Sequence, residues 1–391
     1  MKKYLILGNG VAGTTAAENI RQNDGTGEIT IVTDEDIPFY YRIRLPDYLG
    51  GMVAESELVA KKEAWYDEKK ISLQLSSRVS AADSGRKHVI TADGLTYAYD
   101  SLLLANGSHP FVPPIKGSNI KGVFALHTIR DVRQISQAAE KIRNVVLIGG
   151  GLLGLETANA LHKLEKNVTV VEFFPRLLPR QLDNEGAARL QHFFESKGFS
   201  FRLGTTTKEI TGDDSVEQVI LEHGEILPAQ MVIISAGVRP NLELAKMLGL
   251  KTDKGVIVDQ FMRTSQPDIY AAGDVIEFED RTYGIWPAAM EQGKIAGINI
   301  SGGKTAYNGT TLSNILKVAG IDLASAGEID EEKKFESKIV ASDDTYKKVV
   351  INNGKVIGCI MLGDRKHFNR ISKAITSGEN ILNELDSLLN G

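Results

Sequence analysis

Short apolar runs alternate with stretches of mixed polarity along this chain, and that alternation predicts its architecture. Tyr4-Leu5-Ile6-Leu7 is too short for a helix and reads as a buried strand. It breaks at Gly8-Asn9-Gly10-Val11-Ala12-Gly13, and Thr14 to Asn23 then reads as a helix. Ile29-Thr30-Ile31-Val32 is a second strand, with Asp34 and Glu35 at its end. Much later the same order returns. Val145-Val146-Leu147-Ile148 leads into Gly149-Gly150-Gly151-Leu152-Leu153-Gly154, a helix to about Lys166, and the strand Val168-Thr169-Val170-Val171 closing on Glu172. Strand, helix and strand in succession predict a βαβ unit, and the repeat predicts two of them in one chain.

Both loops have the spacing of a dinucleotide-binding turn. The first glycine of each, Gly8 and Gly149, permits the tight turn out of the strand. The second, Gly10 and Gly151, lets a pyrophosphate approach the backbone, and the third, Gly13 and Gly154, lets helix and strand pack closely. The phosphates then meet a helix N-terminus, where free N–H groups and the dipole favour negative charge. An acid about 20 positions on bonds the ribose hydroxyls, which points to Asp34 and Glu35 for the first loop and Glu172 for the second. One glycine loop is weak evidence; two in the same context imply two dinucleotides, of which a flavin and a nicotinamide are the economical pair. Glu172 accepts from a free 2′-hydroxyl but repels a 2′-phosphate, which favours NADH over NADPH. Arg176, four positions on, is the residue that bears against this choice.

Composition narrows the field. The 391 residues suggest two or three domains, and 45 Lys and Arg against 50 Asp and Glu leave too mild a balance for nucleic acid. No apolar run reaches the ~18 residues that a membrane span requires, and the run after Met1-Lys2-Lys3 is too short for a secretory signal. The chain therefore reads as cytoplasmic. With Cys359 as its single cysteine, it cannot form an internal disulfide or a CxxC redox pair. Cys359 lies in the apolar run Val356 to Leu362, a predicted buried strand in which it packs. The seven histidines are scattered and predict no metal site.

These residues resemble the FAD- and NAD-dependent pyridine nucleotide oxidoreductases over essentially the full length. The first glycine loop is similar to the family's FAD loop and the second to its NAD loop. Leu102-Leu103-Leu104-Ala105-Asn106-Gly107 resembles the strand returning toward the FAD, with Asn106 where threonine is usual. Ile233 to Asn241, including Gly237, is similar to the segment that closes the NAD domain. Ile269-Tyr270-Ala271-Ala272-Gly273-Asp274 resembles the segment whose aspartate bonds the ribityl chain, so the resemblance gives Asp274 that role; alone, Asp274 also fits a helix N-cap. Trp286 to Gly293, with Ala289, looks like the helix whose N-terminus faces the flavin pyrimidine ring. Tyr40 to Leu45 resembles an aromatic-Arg segment along the FAD, implying contacts for Arg42 and Arg44, whose plainer reading is solvated charge. Glu156 matches a family glutamate near nicotinamide and flavin, and also fits an exposed first-turn carboxylate. Asn314 to Gly327 resembles the opening of the C-terminal domain of NADH:rubredoxin oxidoreductases and of the flavoprotein portion of NADH-dependent nitrite reductases.

The resemblance implies an α/β fold with two Rossmann-like dinucleotide-binding domains, for FAD and NAD, plus a small α+β C-terminal domain. Residues 1–112 and 238–308 form a discontinuous FAD domain, 113–237 the NAD domain, and 309–391 the C-terminal domain, whose tail Ile371 to Leu389 reads as helix. It also implies hydride transfer from NADH to FAD N5, then electrons to a small iron–sulfur acceptor such as rubredoxin. No cysteine lies in 36–60, which removes the chemistries needing a flavin-side thiolate. Asp47 stands where ferredoxin reductases of dioxygenase systems often place Lys. A complete nitrite reductase needs iron–sulfur cysteines, so such a system would use this chain only as its flavin component. A peroxide-forming NADH oxidase and a redox-responsive binding protein remain alternatives. The basic cluster from Arg365 to Arg370, with Lys373, is a candidate docking face whose plainer reading is solvated surface.

Overall fold

The computed structural model describes residues 1–390, the side chains of residues 317 and 318 excepted; Gly391, the last residue of the expected C-terminal domain, lies outside them. The chain forms two compact units, one of residues 1–42, 54–109 and 238–310, the other of 43–53, 110–237 and 311–391.

The first unit is built on a five-stranded parallel sheet. Its order is Ile269–Ala271, Ser101–Leu104, Lys3–Leu7, Glu28–Val32 and Ile71–Gln74. Leu102, Leu103 and Leu104 are fully buried, as are Ile6 and Ile31, because a parallel sheet covered on both faces requires continuous apolar strands. The helix Val11–Asn23 begins three residues before the expected Thr14 and takes Gly13 into its first turn. Against it lies Trp286–Ile300, brought close by small residues: a Cβ on Gly293 would stand 2.4 Å from the Ala12 carbonyl oxygen, and one on Gly297 2.5 Å from that of Ala16.

The second unit repeats this plan. Its parallel sheet runs Ser200–Leu203, Asn167–Glu172, Asn144–Ile148, Met231–Ile234 and Val123–Phe124, again with the glycine-loop strand in the middle. The helix Leu152–Lys163 stops short of the expected Lys166, because Glu165 turns left-handed (φ +59°) and the Lys166 N–H folds back to the Leu161 carbonyl. Leu45–Leu49 packs on that helix, where Gly50 allows the backbone near Ala160.

An antiparallel sheet completes this unit, in the order Ser313–Val318, Ile321–Gly327, Lys355–Leu362, Tyr346–Asn352 and Glu336–Ala341. Cys359 is fully buried in it, and burial pushes its thiol up to about 12. The expected single helix from Ile371 to Leu389 is instead two pieces, Phe368–Ser377 and Leu385–Asn390. Gly378, left-handed at φ +67°, stops the first by donating to the Ala374 carbonyl. A buried cluster ties the C-terminal sheet to the start of the helix Asn184–Ser196. Lys348 donates to Asp183 Oδ2 at 3.1 Å and to the carbonyls of Ile329 and Asp330, and the Tyr346 hydroxyl donates to the same carboxylate at 2.7 Å. Asp183 Oδ1 meanwhile accepts from the Gly186 N–H and caps the helix Asn184–Ser196.

Candidate dinucleotide sites

The two glycine loops share one geometry. A Cβ on Gly8 (φ +113°) would lie 2.2 Å from the Ala105 carbonyl oxygen, and one on Gly149 (φ +115°) 2.2 Å from that of Ser235. A Cβ on Gly13 would meet the Gly8 oxygen at 2.0 Å, and one on Gly154 the Gly149 oxygen at 2.1 Å. By contrast, a Cβ on Gly10 or Gly151 would meet nothing within 4 Å. The first and third glycines are therefore needed by the fold. The second leaves a backbone approach open above a helix N-terminus, which is what a phosphate requires.

In the first unit, polar groups gather around the loop. Asn9 is buried, its Oδ1 accepting from the Tyr66 hydroxyl at 3.0 Å. Its Nδ2 has no hydrogen-bond partner among the described residues. Glu35 accepts from Arg42 at 2.8 Å and from the Tyr40 hydroxyl at 3.1 Å, whereas Asp34 is exposed. Asn106 and Asn241 hold one another reciprocally, each amide donating to the other's backbone carbonyl, and the Asn241 N–H donates to the Gly107 carbonyl. Asn106 Oδ1 is buried without a partner among the described residues. The Ser108 hydroxyl donates to Asp274 at 3.3 Å, and burial raises the Asp274 carboxyl above the usual range against the pull of Ser108 and Arg42. The Gly273 N–H donates to Gln292 Oε1 on the helix Trp286–Ile300, where Ala289 is buried. The residues fit a flavin dinucleotide: an open phosphate approach, two orphaned amide atoms and a carboxylate with acceptor capacity to spare.

In the second unit, both oxygens of Glu172 are taken by backbone amides, of Gly150 at 2.5 Å and Phe174 at 2.9 Å. Thus the ribose acid expected from the sequence is a fixed, buried anion beside the loop. Phe173 and Phe174 follow it, 66% and 45% exposed, and Phe173 borders a cleft of about 740 Å3 at the carboxyl ends of the sheet strands. Arg176 is engaged in an ion pair with Glu331 and donates to the Pro179 carbonyl. Glu156 is the fifth residue of Leu152–Lys163, past its first turn and half-buried rather than exposed, and burial, and secondarily Asp47, raises its carboxyl to about 7. Arg44, expected beside Arg42, belongs to this unit and pairs with Asp47 at 3.5 Å. Gly237 (φ +97°) closes the unit's last parallel stretch.

Asn9, Tyr66, Ser108 and Glu331, each of which contacts an expected site residue or its loop, were not among the residues expected from the sequence. Only Asn9 carried a local signal, a polar side chain inside a glycine loop. The basic candidate face is largely neutralised. Arg370 is forked onto Glu379 and Glu384, Arg365 pairs with Asp322, and Phe368 is buried. Among the described residues no helix is long and apolar enough to cross a membrane, and no group of His, Cys, Asp and Glu is placed to hold a metal.

Known proteins bear on these sites. Residues 2–293 match the pyridine nucleotide-disulphide oxidoreductase family, and residues 313–379 match the rubredoxin NAD+ reductase C-terminal domain. The chain is 36% identical to a nitrite reductase [NAD(P)H] of Bacillus subtilis, covering 96% of this chain and 47% of that protein. It is 29% identical to an NADH-rubredoxin oxidoreductase of Clostridium acetobutylicum, covering 99% and 98%. The solved NAD-dependent persulfide reductase from A. fulgidus superposes with a TM-score of 0.90 at 30% identity, over 98% of this chain and 78% of that one. This chain spans about half the length of the nitrite reductases it matches.

Proposed function

Because the chain belongs to the pyridine nucleotide-disulphide oxidoreductase family, we propose that it is an NADH-dependent flavoprotein oxidoreductase that hands electrons to a small iron–sulfur protein of the rubredoxin kind. The observation that carries this reading is the duplicated three-glycine geometry, one loop in each unit. Two such cradles call for two dinucleotides, and their surroundings differ as FAD and NADH require.

In the first unit, Gly8, Gly10 and Gly13 form the FAD phosphate turn, and Glu35, held by Arg42, is the ribose acid. Asn9 Nδ2 and Asn106 Oδ1 offer a donor and an acceptor, and Asp274 accepts from the ribityl chain. Gly107, Gly273 and Ala289 keep the backbone close around it. Bound FAD supplies a hydride acceptor that can release electrons one at a time. In the second unit, Gly149, Gly151 and Gly154 seat the NADH pyrophosphate, and Glu172 presents a carboxylate that a 2′-hydroxyl satisfies and a 2′-phosphate does not. Glu156 orients the nicotinamide end and holds a proton near neutral pH.

Two observations support the acceptor. The C-terminal domain matches that of rubredoxin NAD+ reductases, and the similarity to an NADH-rubredoxin oxidoreductase covers nearly all of both chains. The lone thiol is buried and pushed to about 12, so no thiolate is on hand to form a sulfur intermediate. The 36% identity to half of a nitrite reductase favours a second reading, the flavin component of a nitrite-reducing system. Steady-state turnover with NADH decides between them. Reduction of oxidised rubredoxin well above the rate of peroxide formation in air supports the first reading. Equal rates with and without rubredoxin reject it.

A further inference from the structure

The segment 173–183 follows the ribose acid Glu172 and is fastened to the rest of its unit at both ends. Near its start, the Phe174 N–H donates to Glu172 Oε1 and the Phe174 carbonyl accepts from the Gly204 N–H, both at 2.9 Å; at its middle, the Leu178 N–H donates to the Gly150 carbonyl at 3.4 Å and Leu177 packs against Gly150. At its end, Asp183 is gripped by Lys348 and Tyr346 of the C-terminal sheet. Its backbone is therefore held without help from Arg176.

Arg176 is the first cation after Glu172, four positions on. Its side chain is only 12% exposed, and its guanidinium pairs with Glu331 and donates to the Pro179 carbonyl at 3.1 Å. Its Nε is buried with no hydrogen-bond partner among the described residues, so this seat does not satisfy the whole group. Glu331, by contrast, is 42% exposed.

We infer that Glu331, a residue of the C-terminal domain, sets the nicotinamide preference by holding Arg176 away from the nucleotide. The inference rests on the reading of the second glycine loop as the NADH site. A 2′-phosphate beside Glu172 needs a cation to offset two like charges, and arginine's planar fork suits phosphate oxygens. Arg176 is in the right stretch of chain to provide one, but Glu331 has already neutralised it. Glu172 repels the 2′-phosphate, and Glu331 withholds the side chain that would attract it. Discrimination then has two parts, one in the nucleotide sheet and one supplied by the C-terminal domain.

Calorimetric titration of the oxidised protein with NAD+ and with NADP+ tests this without turnover. The proteins are wild type, Glu331→Gln, and the double variant Glu331→Gln with Arg176→Gln. Glu331→Gln is expected to bind NADP+ about tenfold tighter while NAD+ stays within about twofold, and the double variant is expected to lose that gain. The exposed position of Glu331 and the separate anchors of 173–183 keep the single variant folded. An unchanged NADP+ affinity in Glu331→Gln overturns the inference, as does a gain that survives removal of Arg176. If wild type binds neither nucleotide, the reading of the second loop falls and the inference with it; wild-type NAD+ binding with an unchanged preference rejects the inference alone.

Discussion

The Gly150 N–H donates to Glu172 Oε2 at 2.5 Å, tying the middle of the second glycine loop to the acid that ends the next strand. The Phe174 N–H takes the other oxygen, so neither can turn away. In Glu172→Gln an amide NH2 must face one of these N–H groups. The variant should lose about 1–3 kcal/mol of stability. Without its negative charge, the ratio of NADP+ to NAD+ affinity should rise. Thermal melting and paired titrations measure the two effects, and an unchanged ratio would remove Glu172 from nucleotide choice.

Gly10 and Gly151 separate the two cofactors experimentally. A Cβ at either meets nothing within 4 Å, so Gly10→Ala and Gly151→Ala should fold with nearly wild-type melting temperatures. Gly10→Ala should lose flavin, whereas Gly151→Ala should keep flavin and bind NADH poorly. Gly8→Ala, forced against the Ala105 carbonyl at positive φ, should instead cost more than about 2 kcal/mol. Flavin content by absorbance and NADH affinity by titration read out each variant.

Burial raises the Glu156 carboxyl from 4.5 to about 7, with Asp47 adding repulsion. The folded protein therefore keeps a proton that the unfolded chain releases. That group's contribution to stability is complete below about 4.5 and is lost as pH rises through about 7. Relative to wild type, Glu156→Gln should gain on the order of 2 kcal/mol of stability in going from acidic to mildly alkaline pH. Glu156→Ala should slow flavin reduction by NADH and leave flavin content unchanged. Rapid mixing across this pH range should show a step near 7 in wild type that the Gln variant lacks.

Asp183 is a joint of the second unit. Asp183→Ala strands the buried Lys348 ammonium, frees the Tyr346 hydroxyl and uncaps a helix, at a cost of about 3–5 kcal/mol. Replacing Asp183 and Lys348 together with leucine and methionine should cost less, since no charge is then left buried. Chemical denaturation of the two variants gives the comparison.

What was legible in the sequence was local. Strand runs such as Tyr4 to Leu7 and Val145 to Ile148, each ending in a glycine turn, carry their own signal in a few consecutive residues. So does the place of Glu172, at the end of the strand that follows its loop and bonded to the Gly150 N–H. The misjudged helix ends depend on single left-handed residues, Glu165 and Gly378, and glycine at 378 was the readable one. Partnerships between distant segments had no local trace. Nothing near Arg176 announces Glu331, and nothing in the run Arg365 to Arg370 shows that Arg370 is already neutralised by Glu379 and Glu384. The same holds for residues 43–53, which join the second unit although their neighbours on both sides belong to the first.

The most direct test of the central claim is anaerobic mixing of the purified, flavin-loaded protein with NADH while the flavin absorbance is followed, with oxidised rubredoxin added second. The account predicts rapid bleaching by NADH, slower bleaching by NADPH, and recovery of the absorbance when rubredoxin is added. Failure of both nucleotides to bleach the flavin would contradict it.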